Sequence, residues 1–377
     1  MSKLANFLRN LDLTPDEIAV RARLPSERVR MILEGRDANL VELRALARAL
    51  KVPLRMFVQK NEDNSDLALL FRSTTASRPD LGVENAAAFV QAAISIMPKR
   101  QSPPEWLSGF EFREESYEEA ERLADAFRMM FTPNRLDEPL YDLPDLVVNL
   151  GGVILGQLES SRFEGASVIS DGYAFIFVSP RFAGRMLFTL AHEIGHLVAH
   201  HREGRSVVFD LASQIGGGRR YKSKSEAFVD SFASALLMPA RGVGIALRQI
   251  RKSFHIQSDE VGDIEIICLA RLFGVSFDAA ALRCEKLGLL PRGGAISLSE
   301  ILRRNHGSPE KRADTLGLPK RPTIIIPRVS QNLLKAAGER INDGKLSLGW
   351  VTDRLACSAN DVFAARSAPE AARGSHH

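Results

Sequence analysis

Apolar positions recur at helical spacing in the first third of the chain, at strand spacing near its middle, and at helical spacing again beyond it. Thr14-Pro-Asp-Glu17 is a helix start: Thr caps, Pro takes the first helical position and Glu closes a capping box. Leu24-Pro25 interrupts that helix. Ser26 caps a second one over Glu27–Glu34, which Gly35 ends, and a third carries Leu40, Leu43, Leu46, Ala47 and Leu50. Val83–Met97 is an Ala-rich apolar helix. In Tyr117–Phe131, Ala120, Leu123, Ala124 and Phe127 share one face.

After Pro133 the texture turns to strands: Leu146–Val148, Gly152–Leu155, Ala166–Ile169 and the longer Tyr173–Val178. Tyr173–Val178 is either an edge strand, open to pairing with an extended peptide, or an ordinary interior strand. Ile264–Phe273 and Phe277–Leu287 read as helices, His306–Arg321 as a charged loop and Thr323–Ile326 as a short strand. Leu346–Val362 is either a second helix-turn-helix or a packing pair of helices. The pattern therefore predicts a mostly helical α+β fold. Its divisions fall at residues 1–60, a linker and helix over 61–105, a mixed domain over 106–290 and a helical segment over 291–373, with the polar run Lys60–Asp66 at the first boundary.

The chemistry concentrates in Phe188–His200, which contains His192-Glu193-x-x-His196. Residues i and i+4 of a helix share a face about one turn apart, so the two imidazoles can hold one cation. Glu193 then stands where it can act as general base on a metal-bound water. The surrounding run, Leu187, Phe188, Leu190, Ala191, Ile194, Leu197 and Val198, is apolar, and burying Glu193 among them is costly unless a metal or partner compensates it. A further histidine six residues past His196 would fall at Arg202, which excludes that ligand pattern. Ser225–Pro239 is a second helix on which Glu226 and Asp230 share a face. Glu226 completes a His₂Glu set for Zn²⁺, a set that also accepts Mn²⁺, and leaves one position open for water. Asp230 can accept the second ring N–H of a ligand histidine, His192 first. His200 lies one turn beyond His196, able to contact substrate, orient a ligand or pack. Tyr221, in the Gly-rich loop Gly216–Tyr221, is a candidate oxyanion donor or a surface residue. His201, Glu203 and Asp210 read as loop residues.

Composition narrows the partners. The 377 residues are 45% hydrophobic and 25% charged, those of an ordinary globular protein. No apolar run approaches the roughly 18–20 residues that span a bilayer. No secretion signal is visible at the N-terminus, and Gly374-Ser-His-His377 reads as a purification-tag scar. Cys268, Cys284 and Cys357 are widely spaced and unpaired in pattern, as expected of reduced thiols in the cytoplasm. A net charge of +4 permits nucleic-acid binding without arguing for it.

Two resemblances sharpen these expectations. Leu13–Ala19, Ala22-x-Leu24, Val29-x-x-Ile32-Leu33-Glu34-Gly35, Leu43-x-x-Leu46-Ala47-x-Ala49-Leu50 and Val52-Pro53-Leu54 resemble the phage-repressor-like helix-turn-helix family. That implies a five-helix DNA-binding domain. Its reading helix would carry Ser26, Glu27, Arg28, Arg30 and Met31, with Arg21, Arg23 and Arg36 available for phosphates of double-stranded DNA. Protein contact or dimerisation is the other use of such a unit. Phe188–His200 together with Glu226-x-x-x-Asp230-x-x-Ala233-x-x-Leu236-Leu237-Met238-Pro239 resembles the ImmA/IrrE metallopeptidases, in which Asn often stands at the place of Asp230. That resemblance implies a zincin-like lobe cleaving repressor-type transcription factors in stress, prophage or defence control. It leaves, as the rival, a DNA-binding regulator whose metal lobe senses a ligand or partner without proteolysis.

Overall fold

The computed structural model describes residues 14–34, 36, 38–49, 81–159, 161, 163–200, 207–211 and 223–367. Three helices open it: α1 (Pro15–Ala22), α2 (Ser26–Leu33) and α3 (Leu40–Ala49). Thr14 and Glu17 form the capping box expected at α1, and Arg23 leaves that helix in the left-handed region at φ 53°. Pro25, not Ser26, holds the cap position of α2; without an N–H or a polar side chain it makes no side-chain cap. Ile18, Ala22, Val29, Ile32 and Leu46 form a small core of their own. The first and last helices expected in this unit, and the linker Lys60–Asp66, lie outside the described residues.

The larger lobe is built around a four-stranded mixed sheet: β1 (Val153–Gln157), β2 (Phe163–Ser170), β3 (Tyr173–Val178) and β4 (Val207–Leu211), in the order β1-β3-β2-β4. β1 runs parallel to β3, while β2 is antiparallel to both β3 and β4. Asp171-Gly172, both at positive φ, close the β2–β3 hairpin. Tyr173–Val178 is thus an interior strand, and the edge-strand reading falls. The outer edge of β1 is covered: Val329 bridges to Gly156, Ser330 N–H donates to Leu155 O, and Asn332 Nδ2 donates to Val153 O.

β3 alternates strictly between the two sides of the sheet. Ala174, Ile176 and Val178 enter an inner core with α5 (Tyr117–Phe131), α6 (Leu143–Asn149), α7 (Ala183–Ala199), α8 (Lys224–Leu237), α9 (Ala240–Ser253), α10 (Asp263–Leu272) and α11 (Phe277–Lys286). Tyr173, Phe175 and Phe177 enter an outer core with α4 (Leu81–Ile96), α14 (Gln331–Asn342), α15 (Leu348–Leu355) and α16 (Ala359–Ser367). Residues beyond 290 divide between them, since α12 (Gly294–His306) and α13 (Pro309–Thr315) add Ala295, Leu302 and Ala313 to the inner core.

Four local expectations are corrected. Leu146–Val148 lies in α6, where Pro144 opens the helix and Leu143, Pro144 and Val147 are buried; three apolar residues carry no period of their own. Thr323–Ile326 is not a strand: prolines 322 and 327 flank it, and Ile325 is 74% exposed. Pro309–Thr315 is a helix inside the expected loop, started by Ser308, which accepts from Lys311 N–H. Asp210, expected in a loop, stands in β4. Among the described residues, no helix is long and apolar enough to cross a membrane.

Candidate metal centre

Helix α7 packs on the inner face of the sheet against β2 and β3, and α8 packs alongside α7. Their close approach depends on Gly195, between Ile194 and His196: a Cβ built there would lie 3.0 Å from the Phe232 ring and 3.2 Å from Val229 Cβ. Ser223 caps α8 by accepting from the Glu226 N–H at 3.1 Å, which fixes the turn that carries Glu226. At the other end of α8, Arg128 Nε donates to Leu236 O and Arg283 Nε to Met238 O, both at 2.8 Å. Both guanidiniums are fully buried, and Arg283 also pairs with Glu121. Buried cations at a helix C-terminus oppose the negative end of its dipole and satisfy its last carbonyls.

This pairing brings His192, His196 and Glu226 together, with one potential ligand atom from each lying within 4.8 Å of the others. His192 Nε2 is 3.4 Å from Glu226 Oε2, and His196 Nε2 is 3.6 Å from Glu226 Oε1. Donors around a tetrahedral ion at about 2.1 Å stand about 3.4 Å apart, so the set fits a small divalent cation with little adjustment. Glu226 Oε2 is buried and, among the described residues, accepts no hydrogen bond. A cation answers that otherwise costly burial.

Asp230 Oδ1 lies 2.9 Å from His192 Nδ1, at the ring nitrogen opposite the carboxylate of Glu226. His200 lies on the other flank, its Nδ1 3.1 Å from His196 Nδ1. Glu193, fully buried, faces the sheet. A Cβ at Gly165 of β2 would come within 2.2 Å of Glu193 Oε1, so the bare backbone of β2 leaves the space that the carboxylate fills. Just before it, the β2–β4 register shifts between Phe163 and Gly165, leaving Glu164 as the extra residue. Glu164 Oε2 accepts from Arg185 Nε at 2.8 Å and Oε1 from Arg181 Nε at 3.2 Å, tying the bulge to the start of α7. Sequence reasoning missed Gly165 and Glu164, because neither belongs to a motif and their roles arise from strand–helix proximity.

Residues 158–285 match the Peptidase_M78 family model, the IrrE N-terminal-like domain. The matched segment covers about a third of the chain and contains β2, β3, α7 and α8 with every residue of the cluster. It supports kinship with the ImmA/IrrE family and points to a metallopeptidase-like domain. No curated protein matches the chain. Within the M78-like segment burial pushes the Cys268 thiol up to about 11 and that of Cys284 up to about 12, which disfavours the nucleophilic thiolate. Tyr221, the oxyanion candidate, lies outside the described residues.

The residues expected to read DNA lie on or beside α2. Arg28 makes a two-pronged pair with Glu42, Nε–Oε1 2.6 Å and Nη2–Oε2 3.0 Å, and Arg30 pairs with Asp16 at 3.3 Å. Arg21, Arg23, Glu27 and Arg36 are exposed, and Ser26 and Met31 are half-buried.

Proposed function

We propose that this chain is a metal-dependent endopeptidase, with Zn²⁺ held by His192, His196 and Glu226. The observation that carries the reading is the buried convergence of those three side chains beside Glu193, inside the M78-like segment. A bound zinc ion supplies Lewis acidity, lowering the pKa of water and polarising a carbonyl. Glu193 is the proton carrier. Held against the backbone of β2, it takes a proton from the attacking water and gives it to the departing amine. Asp230 accepts the Nδ1–H of His192 and so presents the Nε2 lone pair to the ion. The apolar residues packed around the helix pair would keep bulk water from the buried cluster.

The substrate in this reading is a repressor-type transcription factor in the cytoplasm, as the resemblance to ImmA/IrrE proteins implies. The N-terminal helices dock on DNA, on the regulator or on a second copy of the chain. As the resemblance implies, Arg21, Arg23 and Arg36, all exposed, contact phosphates, while Arg28, paired with Glu42, and the exposed Arg30 lie on the reading helix.

Elemental analysis of the purified protein beside His192→Ala tests the centre. About one zinc per chain, lost in the variant, is the expected result. No bound metal after zinc is supplied would leave a DNA-binding regulator without proteolysis as the reading.

A further inference from the structure

The two histidines are held differently. His192 faces an anion, Asp230, which can only accept. His196 faces another imidazole, which accepts at Nδ1 only in one protonation pattern. His196 Nε2 points to Glu226, so that nitrogen must offer its lone pair to a cation and the proton must sit on Nδ1. The Nδ1–H then donates across 3.1 Å to His200 Nδ1. His200 can accept there only with its own proton on Nε2. That nitrogen lies 3.4 Å from Glu115 Oε1, a carboxylate in the stretch just before α5. The His200 ring stands edge-on to Phe112, centroids 5.8 Å apart, and tilted against Phe228 at 6.0 Å. Ser225 Oγ is 3.3 Å from each of its nitrogens.

We propose that Glu115 and His200 form a positioning relay, in which Glu115 selects the Nε2–H tautomer of His200 and His200 in turn fixes the proton of His196. The inference rests on the metal reading above. It makes the stretch before α5, outside the M78-like segment, a working part of the centre. Glu115 touches neither the ion nor substrate in this scheme; it acts through two imidazoles.

The test is metal affinity, measured by competition of Zn²⁺ with a chromophoric chelator. His200→Phe keeps an aromatic ring between Phe112 and Phe228 but cannot accept. It should weaken zinc binding about 10–100-fold, the usual cost of losing an outer hydrogen-bond partner of a ligand histidine. His200→Asn, whose amide oxygen can accept, should recover part of the loss. Glu115→Leu should weaken binding by a smaller factor, and Glu115→Gln should not. Wild-type affinity in His200→Phe overturns the relay, and wild-type affinity in Glu115→Leu removes Glu115 from it. A second measurement needs no variant: ¹⁵N-histidine spectra of the zinc-loaded protein should show His200 protonated at Nε2, and an Nδ1–H tautomer refutes the scheme. If the wild-type protein binds no zinc, the centre and the relay fall together. If it binds and His200→Phe binds equally, only the relay falls.

Discussion

The two sides of the sheet bury very different material. The outer core is almost wholly apolar, with Phe89, Phe175, Phe177, Leu333 and Val351 packed between α4, β3 and the last helices. The inner side buries His192, Glu193, His196, Glu226, Asp230, Arg128 and Arg283 within the same layer as Phe127, Ile194 and Phe232. Burying ionisable groups opposes folding unless each is paired or answered by a cation. One side is therefore an ordinary hydrophobic support. The other concentrates ionisable groups: two arginines that satisfy the end of α8, and a His–Glu–Asp cluster that fits a cation.

That contrast can be broken from either side. The largest effect is expected from Glu193→Gln: zinc content unchanged, cleavage lowered about 10²–10⁴-fold, as for loss of a general base. A variant that still cut its target at the wild-type rate would remove Glu193 from the mechanism. On the outer side, Phe177→Ala deletes a ring buried edge-on against Phe89 and should cost about 3–5 kcal/mol in chemical denaturation. Zinc stoichiometry in the folded fraction should not change; loss of metal at full folding would show that the two sides are not separable.

Gly165→Ala sharpens the inner side. The added methyl overlaps Glu193 Oε1 and must move it, so cleavage should fall about 10²-fold, the cost of a misplacement near 1 Å, while zinc stays bound. Equal activity in Gly165→Ala would mean that the carboxylate has room elsewhere. The smallest effect concerns acid. Hydrogen bonds from the Arg122 side chain, and a further one from Arg113 N–H, hold Glu119 below the usual carboxylate range. A depressed folded-state pKa gives stability that is present above the unfolded value and lost as pH falls through the lowered one. Glu119→Gln should flatten that acid limb in a pH series of thermal melts; an unchanged limb would assign it to other groups.

Much of this was legible in the chain because it is local. The His-Glu-x-x-His spacing, the Glu226–Asp230 pair and the face of Tyr117–Phe131 follow from the helical repeat alone, and those segments are helices where the pattern puts them. Leu146–Val148 was not legible, since a short apolar run fits either period. Nor were Glu115, Gly165 and the two buried arginines. Each acts on a residue brought near by tertiary packing, and no spacing rule connects Arg283 to Met238 O or Glu115 to His200.

The chain enters the lobe through α4, which packs on the face of the sheet turned away from α7 and α8. A segment joined ahead of Leu81 is thus attached to the support and not to the reactive pair. The contacts described for the metal cluster come from β2, α7, α8 and Glu115, on the other side of the sheet.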